Sequence, residues 1–250
     1  MHEGIIIQAR TGSSRLHNKI LLPFCGTRRI IDILIDNIKK DNPGKRIVLA
    51  TTDRPQDDVL ENVACEAGVD CFRGDEKNVL DRFIRAAETF GLERFVRVCS
   101  DNPLLQTGSF QRLFDEHDAR PADYVAFGFR NGLPTIKSHL GLFAELTTLE
   151  ALRKVAATTD DPLFLEHVTI YLYTHPQDFS IRLLPLPCEL EERFDLRFTL
   201  DTAEDFALLK DIYEAYANLP EKTPGNLVEL VSSKHEWKET MLGNIKKNAK

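Results

Sequence analysis

Short apolar runs alternate along this chain with longer stretches in which apolar residues recur at helical spacing. The pattern predicts buried strands at residues 4–9, 46–52, 94–99, 122–127 and 196–200. It predicts helices between and after them that end near residues 40, 67, 90, 176 and 216. Alternation of this kind is typical of a mostly parallel sheet with helices on both faces. We therefore predict a single α/β domain over residues 1–250.

Local signals complete the predicted order of elements. Asn102-Pro103 and Asp161-Pro162 each combine a capping residue with a first-turn proline, so each pair predicts the start of a helix. The second of these helices is expected to run without a break until Pro176 ends it. Across residues 128–195 as a whole, strand-like and helix-like patterns alternate less regularly, and we expect an irregular excursion there. The basic end, residues 246–250, is expected to be a frayed, solvated tail.

The balance of charge and the cysteines exclude several classes of protein. The chain has 39 acidic and 32 basic residues, and its net charge of -7 argues against a nucleic-acid binder. The sequence has neither a run of about 20 apolar residues nor the apolar core of a secretory signal, which predicts a cytoplasmic protein without a membrane segment. The five cysteines form no C-x-x-C pair, so we expect buried thiols rather than disulfides or a zinc site.

The first predicted strand leads into a loop that is rich in glycine, serine and basic residues. Between Gln8 and Arg29 there are five lysines or arginines and no acidic residue, although the whole chain is acidic. Ligands of open α/β sheets bind at the carboxyl ends of the strands, where this loop begins. Its glycine and serine let backbone N–H groups approach phosphate oxygens, and Arg10, Arg15 and Lys19 can neutralise a triphosphate. The loop matches neither the P-loop nor the dinucleotide fingerprint, and a flexible solvated loop is the alternative.

Two aspartates follow strands that are predicted to end at this same edge. Asp101 comes shortly after the third predicted strand, and Asp201 comes directly after the fifth. Each could instead cap the helix that follows. For Asp201 this alternative is the stronger one, because Asp201 with Glu204, or Thr202 with Asp205, can form a capping box. Two carboxylates that face a basic loop fit a divalent cation that bridges them to phosphate groups, and Mg²⁺ is the ion we expect.

The same residues carry a resemblance to a known family. Residues 5–16 together with Lys19 resemble the N-terminal signature of the cytidylyltransferases that activate sugar acids. These include the acylneuraminate and 3-deoxy-manno-octulosonate enzymes, and the nearest branch is the spore coat polysaccharide biosynthesis protein F-like group. The likeness continues in six further blocks, at residues 50–55, 72–75, 79–82, 101–104, 166–169 and 199–202. Several matching blocks in the same order along the chain are far more specific for the family than any single block is.

The resemblance implies a Rossmann-like nucleotidyltransferase fold. The implied reaction is a Mg²⁺-dependent transfer of CMP from CTP to a sugar acid, with release of pyrophosphate, for the synthesis of a surface polysaccharide or glycan. The implied nucleotide-binding positions are Ala9, Arg10, Gly12, Ser13, Arg15, Lys19 and Arg73. The implied catalytic positions are Arg10, Lys19 and Asp101. Asp101 and Asp201 would hold the metal, and His167 would contact the acceptor. Related enzymes are often dimers, so a homodimer is consistent with the resemblance.

Three stretches depart from the family pattern. Leu16 is followed by His17-Asn18-Lys19 where the family has Pro-Gly-Lys, and this loss of proline and glycine is expected to loosen the loop. Cys99-Ser100 stands before Asp101 in place of Thr-Gly, and residues 133–140 lack an acidic stretch that we expect near the acceptor. Two other functions therefore stay open. One is a glycosyltransferase that uses a nucleotide-sugar donor, although the chain has no Asp-x-Asp tripeptide, and the other is a nucleotide-binding module without catalysis.

Overall fold

A seven-stranded sheet forms the centre of the molecule. The structure is a computed structural model, and it describes residues 2–13 and 15–248. Its strands are β1 (Glu3–Gln8), β2 (Pro23–Cys25), β3 (Arg28–Arg29), β4 (Arg46–Thr52), β5 (Asp70–Gly74), β6 (Arg94–Cys99), β7 (Tyr124–Gly128), β8 (Glu145–Thr148) and β9 (Ile181–Pro185). Strands β2 and β3 pair with each other in a small antiparallel ribbon, and the other seven follow the order β5-β4-β1-β6-β8-β7-β9 across the sheet.

The sheet is mostly parallel, as predicted. β1 pairs in parallel with β4 and β6, β5 pairs in parallel with β4, and β9 pairs in parallel with β7. Among the described strands of this sheet, β8 alone runs against its neighbours, β6 and β7. Ile5, Ile6 and Ile7 in β1 are fully buried. A strand that is covered on both faces can carry an uninterrupted apolar run, and this is why β1 can be identified from the sequence.

Helices cover both faces of the sheet, also as predicted. They are α1 (Ile30–Asp41), α2 (Asp58–Ala67), α3 (Val79–Thr89), α4 (Phe110–Ala119), α5 (Leu149–Thr158), α6 (Pro162–Glu166), α7 (Ile170–Thr174), α8 (Ala203–Ala217), α9 (Pro224–Ser232) and α10 (His235–Lys247). One hydrophobic core lies between the sheet and α1, α2, α4, α8, α9 and α10. A second core lies on the opposite face, under α3, α5 and α7.

The helix ends follow the signals in the sequence. Gly68 ends α2 in the left-handed conformation, with φ of 63°, which glycine adopts without a steric penalty. Thr202 caps α8: its hydroxyl accepts from the Asp205 N–H over 3.1 Å, and the Asp205 carboxylate accepts from the Thr202 N–H over 3.0 Å. This capping box belongs to Thr202 and not to Asp201, so the Asp201 side chain is left to make other contacts.

Two predicted helices differ from the observed ones. Asn102-Pro103 does not start a helix, because the chain turns there to bury Leu104 and Leu105 in the core, and α4 begins only at Phe110. Asp161 does cap a helix, since its carboxylate accepts from the Leu163 N–H over 2.9 Å. The predicted continuous helix is nevertheless divided into α6 and α7, because the turn after α6 carries Val168 and Thr169 into the interior.

The prediction of a strand at residues 196–200 is wrong. The stretch 128–195 is irregular only in part: residues 129–144 form neither a strand nor an α-helix, but β8, α5, α6, α7 and β9 follow. Residues 196–200 are buried but form no strand. Their backbone bonds to loops instead: the Phe198 N–H donates to the His139 carbonyl over 2.9 Å, and the Leu200 N–H donates to the Asp101 carbonyl over 3.1 Å. The segment still brings Asp201 to the same side of the sheet as Asp101.

The basic end of the chain is also more ordered than predicted. Lys246 and Lys247 belong to α10, which is held by the buried residues Met241 and Asn244, and the Lys247 ammonium lies 3.0 Å from Glu204. Residues 249 and 250 lie outside the described part of the chain. No disulfide links the five cysteines, but the prediction of buried thiols is wrong, since Cys65 and Cys188 are exposed. Within the described residues, no helix has both the length and the apolar character needed to cross a bilayer.

Candidate active site

The loop after β1 is anchored at its start by a buried carboxylate. Asp57, which is almost fully buried, accepts from the Thr11 N–H over 2.7 Å and from the Thr11 hydroxyl over 2.6 Å. The Thr52 hydroxyl donates to the other oxygen of Asp57. The loop is therefore not a freely solvated segment at this point. Asp57 was missed in the sequence because nothing local distinguishes it from the acidic residues around it.

The loop keeps its turn although the family's Pro-Gly pair is absent. Asn18 adopts the left-handed conformation, with φ of 54°, at the position where the family has glycine. Asparagine is one of the few residues that enter this region readily. The Asn18 N–H donates to the Thr11 carbonyl over 3.1 Å, which folds the loop back on itself. The expectation of a loosened loop is thus not supported at residue 18.

The basic loop and the two distant aspartates meet in the structure. Lys19 Nζ donates to Asp101 Oδ2 over 3.0 Å and to the Leu200 carbonyl over 2.6 Å. Arg15 Nη2 donates to Asp201 Oδ1 over 2.7 Å. The Asp101 side chain is 34% exposed and that of Asp201 is 17% exposed, so both carboxylates can still be reached by a ligand.

Two cavities open at this junction. The first, the loop cavity, has a volume of about 320 Å³, and its wall includes most of the predicted nucleotide-binding residues: Arg10, Gly12, Ser13, Arg15 and Lys19. The second, the helix cavity, has a volume of about 700 Å³, and its wall includes residues of the later elements: Ile136, Lys137, Ile170, Tyr173 and Lys247. The two cavities share one set of wall residues: Arg15, Arg97, Cys99, Asp101, His167 and Asp201.

Gly12 and His167 occupy defined places in these walls. A Cβ atom on Gly12 would lie 3.0 Å from Gln56 Nε2, so a larger residue would crowd the wall of the loop cavity. His167 lies in the turn between α6 and α7 and is exposed on the wall that both cavities share. Its exposure does not match the alternative of a histidine buried in the core, and the contact with an acceptor stays a prediction.

Two of the predicted nucleotide-binding residues do not line either cavity. Ala9 is buried behind the loop, and its N–H donates to the Ala50 carbonyl over 3.2 Å. Arg73 lies in β5, where its guanidinium contacts Asp58 at 2.6 Å and Glu61 at 3.2 Å on α2. Side chains alternate between the faces of a strand. Because Arg73 points to the face that α2 covers, it is engaged there rather than at the cavities.

A buried ion pair forms part of the shared wall, and it was missed in the sequence. Arg97 Nη1 donates to Glu145 Oε1 over 2.6 Å, and Arg97 Nη2 donates to Gln8 Oε1 over 3.1 Å. The antiparallel register of β8 sets Glu145 directly opposite Arg97. Glu145 also accepts from the hydroxyls of Tyr124 and Thr169, and burial together with this carboxylate raises the pKa of Tyr124 well above its ordinary value. The sequence feature that could have indicated this ion pair is the position of Arg97 in the middle of a mostly apolar predicted strand.

Arg82 is a second buried cation near the loop. It is fully buried, its Nη1 donates to the Asp75 carbonyl over 2.7 Å, and its Nε and Nη2 have no hydrogen-bond partner among the described residues. Burial, together with the nearby positive charge of Arg10, lowers the pKa of Arg82 to about 10. The side chain is therefore still cationic at neutral pH and adds to the positive field beneath the loop.

The donor set at the junction fits a hard divalent cation that binds together with phosphate groups. Among the described residues, no group of three or more His, Cys, Asp or Glu side chains is arranged as a metal site. Mg²⁺ does not need such a cage, because it commonly takes one or two carboxylates and completes its shell with substrate phosphates and water. Asp101 and Asp201 are two carboxylates of this kind on a shared cavity wall.

Comparison with known proteins extends these observations. A family model described as cytidylyltransferase matches residues 4–226. The spore coat polysaccharide biosynthesis protein SpsF of Bacillus subtilis is 30% identical over 237 residues, which cover 91% of this chain and 92% of that protein. An uncharacterized protein of Methanocaldococcus jannaschii is 36% identical over 211 residues, covering 84% of this chain and 83% of that protein. The 3-deoxy-manno-octulosonate cytidylyltransferase of Brucella suis is 26% identical over 206 residues, covering 76% and 80%.

A solved structure agrees with these matches over nearly the whole chain. The structure of a cytidylyltransferase from Leptospira borgpetersenii superposes with a TM-score of 0.82 at 27% identity, and covers 95% of this chain and 96% of its own. The family match includes the loop, both aspartates and His167, and it ends before α10 begins at His235.

Proposed function

Because the chain belongs to the cytidylyltransferase family, whose members are CTP-dependent nucleotidyltransferases, we propose that it transfers CMP from CTP to a sugar acid and releases pyrophosphate. The observation that carries the proposal is the meeting of the basic loop with Asp101 and Asp201 between two cavities. Such a junction can receive a nucleotide from one side and an acceptor from the other.

The loop cavity is the proposed site of the triphosphate. Arg10, Arg15 and Lys19 bring three positive charges to its wall, where Glu166, Asp201 and Asp101 are their present partners. A triphosphate that arrives with Mg²⁺ is the ligand that could take the place of these partners. Gly12 leaves room for the phosphates because it has no side chain. Lys19 and Arg15 now donate to carboxylates, and they would turn these donors to phosphate oxygens when the nucleotide binds. Charge-assisted hydrogen bonds of this type are among the strongest that a protein offers.

Asp101 and Asp201 are the proposed ligands of Mg²⁺. The ion would neutralise charge on the phosphate oxygens and so make pyrophosphate a better leaving group. The protein's own part is then positioning and electrostatic stabilisation, as in other phosphoryl transfers. The acceptor hydroxyl attacks the α-phosphorus, the bond from that phosphorus to the pyrophosphate oxygen breaks, and the hydroxyl proton passes to water.

The helix cavity is the proposed site of the acceptor. Lys137 and Lys247 place two cations on its wall, and Ile136 and Tyr173 contribute apolar surface. This combination suits a sugar acid, which has a carboxylate and, on one side of its ring or chain, C–H groups. His167 stands on the wall common to both cavities, where it would contact the acceptor near its attacking hydroxyl.

We also propose a biological setting for the reaction. The Bacillus subtilis relative is named for spore coat polysaccharide biosynthesis, which supports a role in making a surface polysaccharide or glycan. The cytoplasm and a homodimeric assembly remain our predictions for the location and oligomeric state. Size-exclusion chromatography with light scattering tests the latter directly.

A pyrophosphate-release assay tests the proposed reaction. The protein is incubated with each of the four nucleoside triphosphates, Mg²⁺ and a panel of sugar acids. We expect release that requires both CTP and one class of sugar acid. Release with another nucleotide and none with CTP would contradict the proposed substrate. Sugar transfer from a nucleotide-sugar with Mn²⁺ would indicate a glycosyltransferase, and CTP binding without release across the panel would indicate a binding module.

A further inference from the structure

We infer that the last helix, α10, is a positioning element for the active site, an inference that rests on the function proposed above. α10 lies outside residues 4–226, the stretch that the family model matches. It packs against α8 and α9, and Met241 on its inner side is fully buried. Asn244 within the helix and Asn248 at its carboxyl end connect it by separate routes to Asp201 and Arg15.

The first route is a buried chain of hydrogen bonds from Asn244 to Asp201. The Asn244 side chain is 2% exposed, and its Nδ2 donates to Asp205 Oδ1 over 2.9 Å. Asp205 accepts from Arg197 Nε and Nη2, each over 2.8 Å. The same Arg197 Nη2 donates to Asp201 Oδ2 over 2.8 Å. Arg197 and Asp205 are themselves almost fully buried, so water does not readily replace a lost link.

The chain of hydrogen bonds leads from α10 to a proposed metal ligand. Arg197 lies between two carboxylates, because its guanidinium donates both to Asp205 and to Asp201. Asn244 adds a neutral donor to Asp205 without adding a competing charge. The orientation of Asp201 thus depends on a residue of α10 that is three hydrogen-bonded links away.

The second route joins Asn248 to Arg15. Asn248 Oδ1 accepts from Arg15 Nη1 over 3.1 Å, and Asn248 Nδ2 donates to the Asn244 carbonyl over 2.9 Å. The other end of the same guanidinium, Arg15 Nη2, donates to Asp201 Oδ1 over 2.7 Å. Arg15 is consequently held at two points, one on α10 and one on Asp201. Both routes end at residues that the proposed function assigns to the metal and the triphosphate.

The two routes predict different effects on nucleotide binding. Residues that orient a metal ligand without touching the metal change metal affinity by about 10–100-fold when they are replaced. Asn244 acts through Asp201, which is a proposed metal ligand and also contacts Arg15, so its loss should weaken binding of CTP much more in the presence of Mg²⁺ than in its absence. Asn248 acts through Arg15, so its loss should weaken binding under both conditions. If α10 served only to complete the core, substitutions in it would not affect CTP binding in these two different ways.

Calorimetric titration of the full-length protein with CTP, with Mg²⁺ and separately with EDTA, tests the inference. For Asn244→Ala we expect the Kd for CTP with Mg²⁺ to rise about tenfold, with a clearly smaller rise of the Kd in EDTA. Met241→Ala is the matched control, because it removes a buried contact of the same helix outside the hydrogen-bonded chain. It should lower the Tm and leave both Kd values unchanged at a temperature well below that Tm.

If Asn244→Ala does not fold, two variants at the surface of α10 still test the inference. Asn248→Ala should weaken CTP binding roughly threefold with and without Mg²⁺, the scale of one solvated polar contact to a charge. Lys246→Ala, two residues away and exposed on α10, should bind as the wild type does. Asparagine variants that bind CTP like the wild type, or an Asn244→Ala effect that Met241→Ala reproduces, would refute the inference. A wild type that binds no CTP would instead refute the proposed function.

Discussion

Replacing Asp101 with asparagine is the substitution that tests the junction of the two cavities most directly. Asparagine keeps the size of the side chain and one of its oxygens, and it removes the negative charge. The carboxylate stands 3.0 Å from the Lys19 ammonium on the wall common to both cavities. We expect a loss of about 3 kcal/mol of transition-state stabilisation, comparable to the loss of one oxyanion-hole donor. This corresponds to a fall of about 150-fold in kcat.

The same substitution should leave folding almost unchanged. The Asp101 side chain is 34% exposed, and solvent-accessible ion pairs contribute little to stability. We expect the free energy of unfolding to change by less than about 1 kcal/mol. A large loss of activity without a loss of stability is the result that separates a catalytic aspartate from a structural one.

The assay measures pyrophosphate release at saturating CTP and acceptor, with urea unfolding of the same samples. Asp36→Asn is the matched control, because Asp36 also accepts from a basic side chain, that of Arg28, over 2.6 Å, and neither residue lines the loop cavity or the helix cavity. It should retain full activity. Turnover of Asp101→Asn close to that of the wild type would refute the assignment of Asp101 to the site.

Three further substitutions test the structural elements that support the site. Asn18→Ala should reduce the free energy of unfolding by about 1 kcal/mol in urea, because alanine is strained in the left-handed conformation, whereas Asn18→Gly should not. Arg97→Met should reduce it by about 3–5 kcal/mol by leaving Glu145 buried without its partner, and adding Glu145→Gln should recover part of this loss. The folded-state pKa of Asp205 is lowered, so its contribution to stability is present above about pH 4 and is lost as the pH falls further. Asp205→Asn should therefore remove this part of the acid-side decline of Tm, which a melting series between about pH 5 and pH 3 measures.

The sequence predicts well those strands in which all residues have similar, buried surroundings. β1, β4 and β6 lie between other strands of the sheet and are mostly apolar, and their predicted limits agree with the structure to within a residue. β5, β8 and β9, of four or five residues each, were not predicted. Residues 196–200 have the composition of a strand, but the chain offers them loop carbonyls rather than a strand edge. Whether such a segment forms a strand depends on its pairing with residues that are distant in the sequence, and the local residue pattern does not show this pairing.

The candidate site likewise has a part that the sequence predicts and a part that it does not. Arg15, Lys19 and Asp101 could be expected to meet, because loops at the carboxyl ends of neighbouring parallel strands share one edge of a sheet. Asp201 joins them although the segment before it forms no strand. Arg73 lies in a strand at this edge but points to α2, since the alternation of side chains decides its face. Partners such as the buried Glu145 are set by strand register, which the sequence alone does not give.

The pairing of the loop cations with carboxylates favours a ligand that brings a cation of its own. Lys19 contacts Asp101, and Arg15 contacts Asp201, which Arg197 also contacts. A lone sulfate or phosphate ion that draws Lys19 away leaves Asp101 without this cationic partner. An anion that arrives with its own divalent ion offers a partner to the lysine and to the carboxylate at once. We therefore expect small free anions to compete only weakly with a metal-bound nucleotide.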